Sequence, residues 1–352
     1  MKLHDLAIEN LDIPFNVSFR HSSAVRTTTE SVLVTVVTEN GIQGVGEGCP
    51  RQYVTGETLE TVYDFFNAHH HEFLSIYTLD DLKIWEENHE AEININPAAF
   101  CAVELALLGA LAKEQRQSIE ALLSLPELSE EFKYTGVLGA SNPERFQEQL
   151  EQYRHLGFTD FKVKVFGDVA TDKVNIAAIK ERGCDNIRIR LDANNLWPNW
   201  AEAVTYIKAL DYPFFGLEEP LGVHQYDGCR KIFEELGIPI ILDESFSREA
   251  DFRHIQSNPE TWIINIRISK MGGILRSLAV AERGKELGFP IIIGAHVGET
   301  SILTRAALTV ANEYRDILLA QEGAFGTYLL EHDIVDPPIM FGKGGLLRAE
   351  QI

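Results

Sequence analysis

Residues 187–195 read IRIRLDANN, a short run of strand-forming residues that ends in an aspartate and two asparagines. Such a run is typical of a β-strand. Seven more runs of this kind lie between residues 134 and 326, and amphipathic helical patterns separate most of them. In chain order they are YTGVLGA, FKVKVFG, FFGLEEP, IPIILDES, WIINIRISKMGG, PIIIGAHVG and ILLAQEGAFG. Eight strands, most of them followed by a helix, predict an α/β fold with a parallel, TIM-like barrel.

One polar residue stands near the C-terminal end of each of the last seven runs, at a nearly constant spacing. The intervals are 28, 26, 25, 27, 26 and 26 residues, for Lys164, Asp192, Glu218, Asp243, Lys270, His296 and Glu322. This period is the length of one strand plus one helix, so the chain returns to the same rim each time. Because barrel active sites lie at the C-terminal rim, we expect these residues to converge around one mouth.

Three consecutive strands carry carboxylates at matching positions, namely Asp192, Glu218 and Asp243. Three carboxylates held close together repel one another and raise each other's pKa values. A hard divalent cation removes this repulsion, and an all-oxygen ligand set favours Mg²⁺. We therefore predict a Mg²⁺ site at these residues. The alternative is that each of them caps a helix or forms a loop salt bridge.

Polar neighbours of these carboxylates are expected to orient the ligands or the substrate. They are Glu219, Glu244, Asn194 and Asn195. Glu244 is an alternative ligand to Asp243, although the spacing favours Asp243.

Two lysines, Lys162 and Lys164, interrupt the otherwise strand-like run FKVKVFG. Lysines on one face of an inner strand are costly to bury without a function. Lys164 and Lys270 would flank the metal, where a nearby cation makes an amine lose its proton more readily. We predict that these two act as bases on opposite faces of one carbon, while Lys162 holds a carboxylate oxygen or lowers the pKa of Lys164. The alternative is that the lysines form structural ion pairs with barrel carboxylates.

The first part of the chain has a different pattern of predicted strands and helices. Alternating strand patterns at 2–15 and 31–48, with a turn at 39–41, precede helical patterns at 56–74 and 97–115. The second helical pattern is apolar nearly all round, so we expect that helix to be buried between layers. This order of elements predicts an α+β unit.

Taken together, the motifs resemble those of the enolase superfamily, and within it the muconate lactonizing enzyme subgroup. The resemblance covers nearly the whole chain. It rests on the KxK motif at Lys162, LDANN at Asp192, LEEP at Glu218, LDES at Asp243, SKMGG at Lys270 and GETS at Glu299.

This resemblance implies an α+β capping domain over a (β/α)7β barrel. We place the capping domain at 1–130, completed by the C-terminal tail from about 325 to 352, and the barrel at 131–324. The family's shared chemistry implies abstraction of the proton α to a carboxylate, with Mg²⁺ stabilising an enediolate.

Members of this subgroup divide among dipeptide epimerases, muconate cycloisomerases, o-succinylbenzoate synthases and N-acylamino acid racemases. RQYVTGET at 51–58 is similar to a capping loop of dipeptide epimerases. Those enzymes typically present Asp-x-Asp at strand eight, where this chain has Ala320-Gln321-Glu322. We predict a two-lysine racemase or epimerase acting on a dipeptide or an N-acylamino acid. The alternatives are a cycloisomerase, a synthase-like dehydratase, and a catalytically silent metal-binding barrel.

Further residues are candidates for substrate binding. Glu322 is expected to hold a substrate ammonium, unless it caps the following turn or pairs with a base such as Arg26. His296 is expected in the pocket, with a role as base as the alternative. The other candidates are Glu299, Asn194, Arg26, Arg51 and Tyr53, of which the last three fall in expected capping loops.

The composition of the chain limits the kinds of partner that it can bind. The chain has 352 residues and a formal net charge of −22, which argues against nucleic acid and anionic membranes. The four cysteines are scattered without a CxxC pair, and the N-terminus lacks the apolar core of a signal peptide. We expect a cytoplasmic homo-oligomer that takes a small-molecule carboxylate. The run His69-His70-His71 is expected on a solvated helix surface, since three adjacent residues cannot share one helix face.

Overall fold

The chain forms an antiparallel sheet packed on helices, followed by an eight-stranded parallel barrel. The structure, a computed structural model, describes residues 1–21, 24–140, 142–180 and 186–351. The predicted α/β fold, a TIM-like barrel with a capping unit, is confirmed. Within these ranges, none of the helices combines the length and the hydropathy needed to cross a bilayer.

The N-terminal unit is an antiparallel sheet covered by helices. Its strands are β1 (Leu3–Leu11), β2 (Pro14–His21), β3 (Ala24–Thr28), β4 (Ser31–Thr38) and β5 (Gln43–Gly48). Its helices are α1 (Leu59–Phe73), α2 (Leu79–Asn88), α3 (Glu90–Ile93), α4 (Pro97–Glu114) and α5 (Ile119–Leu122). Strand β4 is central, between β1 and β5, and the predicted turn at 39–41 joins β4 to β5. Strands β2 and β3 form a separate hairpin.

Helix α4 is buried on nearly all sides, as its sequence predicts. It lies unusually close to β5, because alternate residues of that strand are glycines. A Cβ atom on Gly46 would lie 2.0 Å from the carbonyl oxygen of Ala102, and one on Gly44 would lie 2.0 Å from that of Ala106. Glycine on this face of the strand and alanine at four-residue spacing on the helix therefore allow the two backbones to approach.

We expect Gly46→Ala to lower the free energy of unfolding by about 1–3 kcal/mol or more, because the helix must move away from the strand. Gly109→Ala is the matched control, since its Cβ would meet nothing closer than 3.9 Å and alanine favours a helix. Urea denaturation of both variants measures the difference. Equal stabilities would show that the close packing of β5 on α4 is not a constraint.

The barrel follows in seven strand-to-helix steps and a last strand. Strand β6 (Glu131–Lys133) precedes it, and the barrel strands are β7 (Gly136–Leu138), β8 (Asp160–Lys164), β9 (Arg188–Asp192), β10 (Leu217–Glu218), β11 (Ile240–Leu242), β12 (Trp262–Ile266), β13 (Ile291–Ile293) and β14 (Leu318–Gln321). The helices are α6 (Pro143–Leu156), α7 (Val169–Lys180), α8 (Trp200–Leu210), α9 (Tyr226–Leu236), α10 (Ile268–Met271), α11 (Ile274–Leu287) and α12 (Ser301–Glu313). After β11, two short 3₁₀ segments, Glu249–His254 and Pro259–Thr261, replace the usual α-helix.

All eight predicted barrel strands are present, and they pair in chain order from β7 to β14. The two edges meet where the amide of Thr135, just before β7, donates to the carbonyl of Gln321 at 2.8 Å. Local capping sets where several helices begin. Asn142 caps α6, Asn199 caps α8 and Thr300 caps α12, each through its side-chain oxygen.

Two buried carboxylates of the N-terminal unit fix it to the barrel. Glu104, in the middle of α4, accepts from the amides of Ile274 and Leu275 at the start of α11, at 2.8 and 2.7 Å. Glu47 on β5 accepts from the amide and the hydroxyl of Thr300, which precedes α12. Burial raises the pKa of Glu104 to about 8 and that of Glu47 to about 7. Each carboxylate satisfies amides at the N-terminus of a barrel helix, where no partner exists within the helix.

The C-terminal tail returns to the start of the barrel and to the N-terminal unit. Its strand β15 (Leu346–Arg348) pairs antiparallel with β6. Earlier in the tail, Leu330 forms an antiparallel bridge with Phe15 of the N-terminal unit. These pairings suit the predicted completion of the capping domain by the tail, and the boundaries at 1–130 and 131–324 stay predictions. Of the four cysteines, Cys49, Cys101 and Cys229 are free and buried, and Cys184 lies outside the described residues.

Candidate active site

The parallel register of the barrel places rim residues of neighbouring strands side by side. Lys164 on β8 pairs with Asp192 on β9, and Asp192 pairs in turn with Glu218 on β10. Asp243 directly follows the last residue of β11. All four side chains are buried. The structure therefore brings together residues that lie 25 to 28 positions apart in the sequence.

Lys162 lies two residues before Lys164 on β8 and contacts three carboxylates. Its Nζ is 3.5 Å from Asp192 Oδ2, 3.3 Å from Glu218 Oε1 and 2.9 Å from Glu322 Oε2. Although burial alone would lower it, these carboxylates raise the pKa of Lys162 above its ordinary value. Lys162 is thus a fixed cation, and its charge lowers the pKa of neighbouring Lys164. The role predicted for Lys162 in the reaction stays a prediction.

Sequence reasoning missed a second cation among the carboxylates, Arg267. Its Nη2 donates to Asp243 Oδ2 and lies 3.8 Å from Glu218 Oε1, while Nη1 is 3.3 Å from His296 Nδ1. Burial opposes a raised pKa for Arg267, yet Asp243 and Glu218 raise it, so the guanidinium keeps its charge. The sequence signal that could have identified Arg267 was its position, one residue after the end of β12 and three residues before Lys270.

Lys164 and Lys270 contact carboxylates at the two ends of the set. Lys164 Nζ donates to Asn194 Oδ1 at 2.9 Å and lies 3.7 Å from Asp192 Oδ2. Lys270 Nζ lies 3.1 Å from Asp243 Oδ1 and donates to the main-chain oxygen of Asp243 at 2.7 Å. Burial lowers the pKa of both lysines below the ordinary value.

Lys270 departs from the prediction in one respect, since it lies on the short helix α10 rather than on the sixth barrel strand. Strand β12 ends at Ile266, and the chain turns into helix before it reaches the lysine. Lys270 Nζ still contacts Asp243. It also donates to the carbonyl of Asn265, on β12, at 2.7 Å.

Glu322 follows β14 and forms ion pairs inside the barrel. Its Oε2 is 2.9 Å from Lys162 Nζ and its Oε1 is 2.6 Å from Arg190 Nη2. Although burial alone would raise it, Lys162 and Arg190 lower the pKa of Glu322 to about 2. Its cationic partners are thus these two residues and not Arg26, the base named as an alternative. The expected contact with a substrate ammonium stays a prediction, and the observed ion pairs compete with it.

Arg190 was also missed, although the strand period could have found it. It lies two residues before Asp192, as Lys162 lies two residues before Lys164, so it faces the same barrel interior. Arg190 is fully buried, and its Nη1 contacts Asp160 Oδ1 at 3.2 Å.

Two of the residues predicted to orient the ligands form hydrogen bonds next to the predicted ligands. Glu219 accepts from the amides of Asp243 and Ser245, each at 2.8 Å, and thereby fixes the segment that carries Asp243. Asn194 accepts from Lys164, and its own amide donates to Asp192 Oδ1 at 3.2 Å. Burial raises the pKa of Glu244 to about 8, and its Oε2 has no hydrogen-bond partner.

The remaining candidates lie on the capping loop and on the segment after β13, except Arg26, which lies on strand β3 rather than in a loop. His296 is buried, and burial together with Arg267 lowers its pKa well below the ordinary value, so the imidazole is neutral. Its amide donates to Glu299 Oε1 at 2.6 Å, and its Nε2 has no hydrogen-bond partner. Burial raises the pKa of Glu299 to about 8.

Arg51 is fully buried and binds main-chain oxygens. Its guanidinium donates to the carbonyls of Thr29, Glu30, Pro50 and Val297, at 2.8 to 3.1 Å. These bonds join the capping loop to the segment after β13. Arg26 pairs with Glu30, and Tyr53 is half-buried on the same loop as Arg51. Substrate contacts by Arg26, Arg51 and Tyr53 stay predictions, as do those of His296, Glu299 and Asn194.

The donor set suits the predicted cation. Asp192, Glu218 and Asp243 offer buried carboxylate oxygens, which are the ligands that Mg²⁺ prefers. Burial, with Asp192 and Asp243 nearby, raises the pKa of Glu218 to about 8 despite the opposing charge of Lys162. Arg267 and Lys270 lower the pKa of Asp243 although burial opposes it. Additional positive charge is therefore favourable at Glu218, whereas Asp243 already has cationic partners.

This fold and this cluster of charges define a TIM-barrel enzyme with a capping unit. Residues 7–124 match the N-terminal domain of mandelate racemase and muconate lactonizing enzyme, and residues 145–351 match the enolase C-terminal-like domain. The chain therefore belongs to the enolase superfamily, in its muconate lactonizing enzyme-like subgroup, as its motifs predicted.

Relatives of this chain include racemases and epimerases. The chain is 27% identical to an N-succinyl-L-Arg/Lys racemase of Bacillus cereus, over 88% of this chain and 84% of that one. It is 28% identical to a hydrophobic dipeptide epimerase of Enterococcus faecalis, over 93% and 92% of the two chains. The structure of an Enterococcus faecalis dipeptide epimerase with Mg and the dipeptide L-Leu-L-Tyr matches with a TM-score of 0.86 and 26% identity, covering 99% of this chain and 97% of that one. The predicted isomerase class, racemase or epimerase, is confirmed.

We expect Asp192→Asn, Glu218→Gln and Asp243→Asn each to weaken Mg²⁺ binding by at least about 10-fold, because each removes a charged oxygen ligand. Glu244→Gln is the comparison variant, since Glu244 is adjacent to Asp243 and is the alternative ligand. Isothermal titration with Mg²⁺ gives the four affinities. If Glu244→Gln lost Mg²⁺ binding and Asp243→Asn kept wild-type affinity, Glu244 would replace Asp243 as a Mg²⁺ ligand.

Proposed function

We propose that this protein is a Mg²⁺-dependent racemase or epimerase in which Lys164 and Lys270 move the α proton of an amino acid derivative. The observation that carries the proposal is the placement of two buried amines at opposite ends of three carboxylates. Lys164 contacts Asp192, which ends β9, and Lys270 contacts Asp243, which follows β11. Glu218 on β10 lies between these two strands.

Each residue has a role in this proposal. Asp192, Glu218 and Asp243 would hold the Mg²⁺, which when bound would polarise the carboxylate of the substrate and acidify its α proton. One lysine, as the free amine, takes that proton from one face of the α carbon. The other, as the ammonium, donates a proton to the opposite face and inverts the configuration. Lys162 keeps its proton and balances the carboxylate charge, and Asn194 orients the amine of Lys164.

The substrate class follows from the relatives and from Glu322. The named relatives act on N-succinyl amino acids and on dipeptides, and both classes carry an amide nitrogen next to the α carbon. A dipeptide adds a free ammonium, which needs an acidic partner. Glu322 already forms ion pairs with Lys162 and Arg190, so this residue favours a substrate without an ammonium. We therefore propose an N-acylamino acid ahead of a free dipeptide.

We expect Lys164→Ala and Lys270→Ala each to abolish racemisation, because inversion needs one lysine as base and the other as acid. Each variant should still exchange the α proton of one enantiomer with D₂O, through the lysine that remains. NMR of each enantiomer of an N-acylamino acid measures this exchange, and wild-type protein gives exchange with both. Equal exchange of both enantiomers by one variant would refute the two-base arrangement. Unchanged turnover in one variant would favour the cycloisomerase or dehydratase alternatives.

The second test compares a dipeptide with its N-acetylated form. We expect the wild type to have the higher kcat/KM for the acetylated form, and the ratio of the two values to be unchanged in Glu322→Gln. The substitution leaves Lys162 and Arg190 less well neutralised, so both absolute values should fall together. A wild-type preference for the free dipeptide that Glu322→Gln removes would assign Glu322 to the substrate ammonium and make dipeptides the substrates.

A further inference from the structure

A cluster of histidine and glutamate side chains lies on the helices of the N-terminal unit, apart from the barrel carboxylates. His69 and Glu72 are on α1, and His89 joins α2 to α3. Contrary to the expected solvated surface, His69 is buried with 9% of its area exposed. In the described ranges, His69, Glu72 and His89 are the trio of potential metal-ligating side chains whose ligand atoms all lie within 4.8 Å of one another.

The distances in this cluster suit tetrahedral coordination. Oε2 of Glu72 is 3.6 Å from Nδ1 of His69 and 3.2 Å from Nε2 of His89. Zinc bonds to histidine nitrogen and carboxylate oxygen of about 2.0–2.1 Å place tetrahedral ligand atoms about 3.4 Å apart. The two observed distances lie on either side of this value.

The second nitrogen of each histidine is already bound, and this fixes which nitrogen faces the cluster. His89 Nδ1 is 2.8 Å from the carbonyl oxygen of Trp85, and His69 Nε2 is 2.9 Å from Glu92 Oε2. Both acceptors require the proton on the nitrogen that contacts them. In the neutral rings, the lone pairs of His69 Nδ1 and His89 Nε2 therefore face the Glu72 carboxylate.

Two lone pairs and a carboxylate that face one another repel unless a ring is protonated or a metal ion lies among them. His69 Nδ1 is buried and has no hydrogen-bond partner. A histidine that donates its other N–H to a carboxylate or a carbonyl is the usual arrangement around a bound metal. Trp85 Nε1 donates to Glu72 Oε2 at 2.8 Å and holds that carboxylate in place.

We propose that His69, Glu72 and His89 bind a zinc ion, with water as the fourth ligand. Two imidazoles and one carboxylate favour a borderline metal such as Zn²⁺ over the Mg²⁺ preferred by the all-oxygen set of the barrel. Glu92 and the carbonyl of Trp85 orient the two rings. The ion links α1 to the junction of α2 and α3, so it stabilises the capping unit.

Co²⁺ serves as the spectroscopic probe in the full-length protein, with excess Mg²⁺ present to fill the barrel site. Tetrahedral Co²⁺ absorbs visible light far more strongly than octahedral Co²⁺ bound by oxygen alone, so the two sites are distinguishable. We expect the wild type to bind one Co²⁺ per chain with a tetrahedral spectrum, which one equivalent of Zn²⁺ abolishes. Zn²⁺ should also raise the Tm in the presence of Mg²⁺.

The variants His89→Gln and Glu72→Gln should weaken Zn²⁺ binding at least about 10-fold, since loss of a group that merely orients a ligand already costs 10–100-fold. The control His71→Gln changes an exposed histidine of the same helix that lies outside the cluster, and its affinity should equal that of the wild type. Absence of the tetrahedral spectrum in the wild type would overturn the proposal. Wild-type Zn²⁺ affinity in His89→Gln would also overturn the proposal. The cluster would then be an ion-pair network of protonated histidines.

Discussion

The balance of charge inside the barrel is the constraint on which the candidate site depends. Lys162 places one ammonium within 3.5 Å of carboxylate oxygens from three different strand ends, those of Asp192, Glu218 and Glu322. Carboxylates without such a partner would be too costly to bury at these positions. Arg190 and Arg267 extend the network to Glu322 and Asp243. The remaining lysines, Lys164 and Lys270, lie at its two ends, where burial lowers their pKa values.

This arrangement separates two roles that lysine can have within one strand. Lys162, among carboxylates, has a raised pKa and remains a cation, whereas Lys164, two residues later, has a lowered one. Both side chains face the same interior. Burial lowers the pKa of Lys164, whereas at Lys162 the charges of Glu218, Glu322 and Asp192 outweigh the effect of burial. The proposed proton transfer uses both kinds of lysine, one to hold charge and one to exchange a proton.

The capping unit depends on the barrel through groups that are costly to bury alone. Glu47 and Glu104 are both fully buried, and both accept amides at the starts of barrel helices. Arg51 also joins the capping unit to the barrel, but as a donor, because its guanidinium donates to the carbonyl of Val297 after β13. Strand β5, which carries Glu47, packs closely on α4, which carries Glu104, so one layer of the capping unit makes both contacts with the barrel.

The sequence by itself determined the eight barrel strands, because short buried strands at a period of about 26 residues have few other arrangements. It also determined that Lys164, Asp192 and Glu218 lie together, since a parallel register aligns equivalent strand ends. The tertiary structure alone decided the partners of each charge. The strand period places Arg190 and Glu322 at the barrel interior, but it does not encode which charges Arg190, Glu322 and Arg267 pair with, because their side chains cross that interior. The same holds for His69 and His89, which belong to different helices and meet because α1 packs against the junction of α2 and α3.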